Sequence, residues 1–281
     1  MATALLLFSE GLDSILAGLI LKKQGINIIA LKFVTPFFGF KDLEDPQAFH
    51  KKVEELGFER GFLIDITEEF LKILESPKYG FGSYANPCID CKILMLKKAK
   101  ELLSEIKADF LATGEVLKQR PISQNRWALE VIEKESKTQG ILVRPLSAKL
   151  LAPSEPEIKG LINREELWEL SGRKRQKQLE LAKKLNLKEI PTPAGGCLLC
   201  DPQIGTRVLK ILKEKRTLNC NTAKLLTLGR HFIERDYWLV LGRNQRENER
   251  LKKIAQGKYP LITLNVPSPL AVLLFPILVT N

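Results

Sequence analysis

No stretch of the 281 residues is apolar for long enough to cross a membrane. The longest late run, Leu270 to Val279, is about half the roughly 20 residues required, and Pro276 interrupts it. The N-terminus has neither the basic start nor the small-residue cleavage site of a secretory signal, so the expected location is cytoplasmic. Cysteines number five, an odd count that does not suit a secreted disulfide framework. The chain also has no Walker GKS/T ending, no GxGxxG, no internal repeat and no low-complexity tract. With 44% hydrophobic and 27% charged residues, wholesale disorder, collagen and coiled coil are excluded.

What is present in excess is positive charge, +11 in total. Residues 205–281 hold 14 Lys+Arg against 5 Asp+Glu, whereas residues 1–204 hold 30 against 28. Such a face concentrates polyanions, nucleic acid above all, although a solvated surface gives the same count.

Apolar runs alternate with helical patterns over the first 110 residues. Ala4–Phe8, Asn27–Val34, Gly61–Ile66 and Asp109–Thr113 read as strands. Residues 13–23, 46–56, 67–75 and 91–106 read as helices. This order predicts an α/β fold, a parallel sheet with helices on both faces, with ligands beyond the carboxyl ends of the strands. Trp127–Lys134 and Gly140–Pro145 read as two further strands, Asn163 as the cap of a helix through Leu170, and Arg173–Leu185 as a basic helix. Pro191, Pro193, Gly195 and Gly196 form a connector, and one helix with several short strands makes up the remainder. The expected division is residues 1–160, a connector over 161–204, and a small basic α+β domain over 205–281.

The first strand ends in Ser9-Glu10-Gly11-Leu12-Asp13-Ser14, directly before a helix. Backbone N–H groups and the Ser9 and Ser14 hydroxyls there can cradle a phosphate, or Asp13 or Ser9 can merely cap the helix. The stretch resembles the SGGxDS signature of the PP-loop ATP pyrophosphatases, with Glu10 in place of the first glycine. Thr113-Gly114-Glu115-Val116-Leu117-Lys118-Gln119, followed by Ser123-Gln124, is similar to the TGExLGQxxSQ stretch of the tRNA 4-thiouridine synthetases, which are also linked to thiamine biosynthesis. In it Lys118 replaces a glycine. Leu142-Val143-Arg144-Pro145-Leu146 resembles their RPL strand. The resemblance implies that residues 1–160 bind ATP and Mg2+ through Ser9, Gly11, Asp13 and Ser14. Gly114 would then allow close approach of the adenylate, with Gln119 and Gln124 bonding it.

Two CxxC pairs, Cys88/Cys91 and Cys197/Cys200, offer soft donors. At a helix N-terminus the thiol pKa is expected to fall. Structural zinc, a dithiol or persulfide relay, and an iron–sulfur cluster all suit them. The resemblance favours the cluster, because cluster-dependent PP-loop thiolases pair a CxxC with a distant cysteine. Cys88, Cys91 and Cys197 are then the ligands, and Cys200 a fourth ligand or persulfide carrier. Cys220 has no visible partner.

Arg173, Lys174, Arg175 and Lys177 crowd a predicted helix start, where cations oppose the helix dipole, so phosphate binding explains them better than helix stability does. Arg230 and Arg243 each follow a glycine at a predicted strand end, and they resemble, more weakly, an RNA-binding module of ribosome-quality-control proteins. Together these readings imply a tRNA sulfurtransferase forming 4-thiouridine, with a 2-thiouridylase as the alternative. Its partners would be tRNA and a sulfur donor such as a cysteine desulfurase or hydrosulfide, and a homodimer is compatible with it. A non-catalytic RNA-binding protein on a degenerate scaffold with structural zinc, and an enzyme acting on a small molecule, are the rivals.

Overall fold

The computed structural model describes residues 1–187, 189–191, 196–263 and 269–274. The chain runs β1 (Thr3–Leu7), α1 (Leu12–Lys23), β2 (Asn27–Val34), α2 (Phe40–Glu44), α3 (Pro46–Glu55), β3 (Arg60–Asp65), α4 (Thr67–Glu75), α5 (Cys88–Glu105) and β4 (Phe110–Thr113). It continues through α6 (Arg126–Ser136), β5 (Leu142–Val143), α7 (Glu155–Ile158) and α8 (Gln176–Lys184). The last part is α9 (Pro202–Lys213), α10 (Cys220–Leu226), β6 (Arg230–Ile233), β7 (Trp238–Leu241), α11 (Gln245–Ala255), β8 (Leu261–Ile262) and β9 (Ala271–Leu274). Pro193 and Gly195 of the connector, and the end of the late apolar run, lie outside the described residues. No helix among those residues is long and apolar enough to cross a membrane.

The five parallel strands lie in the order β3-β2-β1-β4-β5. The central β1 and β2 are apolar on both faces because helices cover both. One core layer joins Leu6, Ile15, Leu16 and Phe110, and the other joins Leu5, Ile29, Ile93 and Leu111. A second sheet, antiparallel in the order β6-β7-β9-β8, shares a third core with α9, α10 and α11. That core also takes in Phe37, Phe70 and Leu74 from the first 75 residues.

Three expectations need correction. Residues 127–134 are not a strand but the body of α6. Asn125 accepts a hydrogen bond from Ala128 N, and Ala128, Leu129 and Ile132 bury one helical face. The adjacent β-branched Val131 and Ile132 favour a strand, but the cap and the helical spacing decide. Asn163 does cap, yet only a single 3-10 turn, Arg164–Glu166, follows. Trp168 N and Leu170 N instead donate to Pro145 O and Leu146 O at 2.9 and 2.7 Å, which draws the backbone out of helix. Among the described residues, the part beyond residue 204 holds three helices rather than one. A smaller difference concerns Arg173–Arg175, which precede the basic helix, with Arg175 at its cap position.

Candidate functional site

The strand order reverses between β1 and β4, so the loops leaving their carboxyl ends part there and leave a crevice for a ligand. Both loops carry the motifs. Gly11 stands at the cap position of α1 with no side-chain cap; Ser9 Oγ accepts from Gly11 N at 3.4 Å, and the N–H groups that follow Gly11 have no side-chain acceptor among the described residues. Ser14 Oγ donates to Gly11 O at 2.8 Å, and Ser9 Oγ lies 3.4 Å from Ser14 Oγ, so the two hydroxyls line one side of the loop. An uncapped helix start is an anion site in waiting.

Asp13 is tied across the crevice. Its Oδ2 accepts from Gln119 Nε2 at 2.9 Å, while its Oδ1 is buried with no partner. The other buried side-chain atoms without a hydrogen-bond partner among the described residues are Glu115 Oε1, Gln124 Oε1 and Arg144 Nη2, all on loops leaving β4 and β5. Each unmet group costs about 1–3 kcal/mol, so their concentration here marks the site. The unpartnered Asp13 oxygen beside an uncapped helix start fits Mg2+ with a nucleotide phosphate.

Gly114 faces the backbone of the opposite loop. A Cβ on it would lie 2.5 Å from Asp13 C and from Ser14 N. Its smallness therefore lets β4 pack on the start of α1. Glu10 and Lys118 replace motif glycines, and both keep the left-handed backbone that favours glycine, with φ of 59° and 60°. Glu10 turns its carboxylate to Lys32, which also reaches Asp42 at 2.6 Å. Its charge is thereby partly neutralised rather than left bare beside the loop.

Beneath the crevice runs a buried ionic chain. Arg144 Nε donates to Glu115 Oε2 at 3.0 Å and Nη1 to Glu133, and Lys92 Nζ lies 3.7 Å from Glu115 Oε1. Burial opposes ionisation of Glu115, but Lys92 and Arg144 outweigh it and hold its carboxyl below the usual range. Sequence reading saw these residues only as letters of motifs. Pairing a Glu with an Arg 29 positions later needs the β4–β5 register.

The cysteines gather at the start of α5. Cys88 Sγ donates to Asn86 Oδ1 at 3.0 Å, and Asn86 Nδ2 donates to Cys200 Sγ at 2.7 Å, so one amide bridges the two CxxC pairs. Leu198 N donates to Phe37 O at 2.9 Å, docking the second pair beyond the end of β2. All five cysteines are free, and Cys220 opens α10, apart from the rest. The thiol pKa values run opposite to the sequence expectation. Burial pushes Cys91 up to about 12, with Lys92 offsetting part of it. Burial also raises Cys197 and Cys88, and neighbouring sulfurs add to it. The helix end is too weak to offset this desolvation. As placed, no three His, Cys, Asp or Glu side chains among the described residues converge on one metal position. The donor type itself, two CxxC pairs of free thiols linked through Asn86, is that of a soft metal or cluster.

Of the basic residues, Arg173, Lys174, Arg175 and Lys177 make no ion pair among the described residues, and Ser171 and Gly172 just before them dock on Leu117. This brings the basic run beside the loop that holds Lys118 and Gln119. Arg230 and Leu241 are paired, so Arg230 and Arg243 sit at one end of the β6–β7 hairpin, where Arg243 is clamped by Glu247 at 2.5 Å. Trp238 is buried and donates its indole N–H to His231 Nδ1 at 2.8 Å, a packing role for both.

Residues 1–190 match the family described as thiamine biosynthesis protein (ThiI). The chain belongs to the ThiI family. Among solved structures, a 4-thiouridine synthetase–RNA complex with bound ATP is similar at TM-score 0.44 and 23% identity, over 76% of this chain and 51% of that one. The U34-tRNA thiolase NcsA from Methanococcus maripaludis, with its [4Fe-4S] cluster, gives TM-score 0.41 and 22% identity, over 76% and 67%. NMN synthetase from Francisella tularensis gives 0.32 and 14%, over 78% and 87%. This ThiI-family chain thus spans about half the length of the 4-thiouridine synthetase it resembles. No curated protein matches it.

Proposed function

We propose that this ThiI-family chain is an ATP-dependent tRNA sulfurtransferase that forms 4-thiouridine. The observation that carries this reading is the pairing, beyond the carboxyl ends of the strands, of an uncapped helix start holding a half-satisfied Asp13 with two CxxC pairs joined by the Asn86 bridge from Cys88 to Cys200. The N–H groups after Gly11 and the hydroxyls of Ser9 and Ser14 hold the phosphates, and Asp13 Oδ1 takes Mg2+. The uridine carbonyl oxygen attacks the α-phosphorus, pyrophosphate leaves, and sulfur then displaces AMP from the activated carbon. Positioning and stabilisation of the departing charge supply most of the rate. An iron–sulfur cluster held by Cys88, Cys91 and Cys197 would supply an open iron to carry sulfur. Cys200, bonded to Asn86, stands beside it as a fourth thiol.

The test is anaerobic reconstitution with iron and sulfide, followed by reaction with a tRNA transcript, Mg-ATP and hydrosulfide, and nucleoside mass spectrometry. 4-Thiouridine in the digest, dependent on ATP and lost in Asp13→Asn, is the expected result. 2-Thiouridine in its place would reassign the carbonyl. Zinc with no iron after reconstitution would sink the cluster assignment.

A carboxylate at position 10, where the motif has glycine, favours a second reading, a scaffold that no longer binds ATP. The variants separate the two. Glu10→Gly relieves a left-handed non-glycine residue, worth about 1 kcal/mol, and removes a carboxylate from the loop, leaving Lys32 with Asp42. Mg-ATP affinity by calorimetry should rise about 5- to 10-fold; absence of nucleotide binding in both forms would support the scaffold. For RNA, reversing Arg173, Lys174 and Arg175 to Glu should weaken tRNA binding at least 10-fold in 100 mM salt and flatten the salt dependence by about two to three units of slope. Unchanged filter binding would remove this patch from the interface.

A further inference from the structure

The segments that converge beside Cys88, residues 76–89 and 116–129, contain four Lys or Arg and no Asp or Glu. They also expose large flat side chains: Tyr84 is 45% exposed and Trp127 57%. The two segments are one surface. Tyr79 and Trp127 meet edge-on with ring centroids 6.2 Å apart, Gly82 packs under Ile122, and Gly82 N donates to Asn86 O at 2.7 Å. Cys88 lies at the end of the first segment, where its Sγ donates to Asn86 Oδ1 at 3.0 Å, so the surface begins at the sulfur site.

Tyr84 is the most informative residue on it. Its φ of 54° places a bulky side chain in the left-handed region, which costs about 1–2 kcal/mol, yet the ring it presents is not buried. Packing holds this backbone in place, with the Tyr84 Cβ against Gly205 at the start of α9. A strained, solvent-facing aromatic beside a reactive centre is the signature of a ligand contact. Flat rings bind any unpaired base through its π-face, whereas the bases of a duplex are already covered. Exposed Lys118, Arg120 and Arg126 suit the phosphates between such bases, while Lys78 is already paired with Glu135 at 2.8 Å.

We propose that Tyr84 and Trp127, with Lys118 and Arg120, form a stacking platform that holds unpaired nucleotides of RNA next to the sulfur site. This rests on the reading of RNA as the partner, and it names where unpaired nucleotides lie. The full chain is titrated by fluorescence anisotropy with an eight-nucleotide oligouridylate and with an RNA duplex of equal length. Tyr84→Ala and Trp127→Ala should each weaken oligouridylate binding about 10-fold and leave duplex binding unchanged. Tyr84→Phe should keep the wild-type affinity, and Trp127 fluorescence should be quenched by the oligouridylate. Because the assay reads binding alone, it succeeds or fails independently of whether thiouridine is ever formed. Unchanged oligouridylate affinity in both alanine variants overturns the platform. The same holds if those variants bind RNA normally but lose sulfur transfer from a donor protein, which would make the surface a protein-docking site.

Discussion

Gly114→Ala is expected to destabilise the fold by about 3 kcal/mol or more and to abolish nucleotide binding. The added Cβ would stand 2.5 Å from Asp13 C and Ser14 N and 2.6 Å from Asp13 O. All three are backbone atoms of the first turn of α1, so no rotamer change gives relief. Either β4 retreats from β1, breaking the register that pairs Leu7 with Thr113, or the start of α1 moves and takes Asp13 away from Gln119. Both routes damage the proposed phosphate cradle. Gly160→Ala is the control. It sits at φ 70° with nothing within 4 Å, so only its backbone strain is felt, about 1 kcal/mol. Urea unfolding of the two variants measures the contrast. A Gly114→Ala midpoint no lower than that of Gly160→Ala would mean that the close approach of the two loops is wrong.

The same glycine shows what a sequence can and cannot disclose. Its place in a motif was legible, as was the parallel sheet, because β1 and β2 are apolar on both faces and the turns fall between them. The partner it must avoid was not, since the close approach joins residues 100 positions apart through strand order. The cysteines divide in the same way. Two CxxC pairs announce sulfur chemistry, but the bridge through Asn86 depends on how the second pair docks beyond β2. Trp127–Lys134 reads as a strand for a local reason, the adjacent β-branched Val131 and Ile132, whereas the helix is started by a one-residue cap at Asn125. The replacements at Glu10 and Lys118 were visible as departures from a motif. Only the dihedrals reveal that both still carry the glycine-like backbone.

The second large effect concerns Arg144. Its guanidinium is 2% exposed, lies 3.0 Å from Glu115, and also pairs with Glu133. Arg144→Met roughly keeps the volume and removes the charge, leaving Glu115 buried with Lys92 at 3.7 Å as its one cation and the Thr113 hydroxyl at 3.1 Å. Removing one partner of a buried pair costs about 3–5 kcal/mol, because the remaining ion is left without compensation. The double variant Arg144→Met/Glu115→Gln should recover more than half of that, since no buried charge then lacks a partner. The pH dependence carries a definite sign. In the wild type the Glu115 carboxyl is held below its ordinary 4.5, so its contribution is present above 4.5 and lost as pH falls through the lower folded value. In Arg144→Met the burial term is opposed by one cation fewer, so the carboxyl shifts upward and protonation becomes the cheaper state. The stability gap between wild type and Arg144→Met should therefore narrow as pH is lowered from 7 to about 4. Urea unfolding of the three proteins at the two pH values tests this. A gap that stays constant with pH, together with no recovery in the double variant, would mean that Arg144 holds the β4–β5 edge by packing alone.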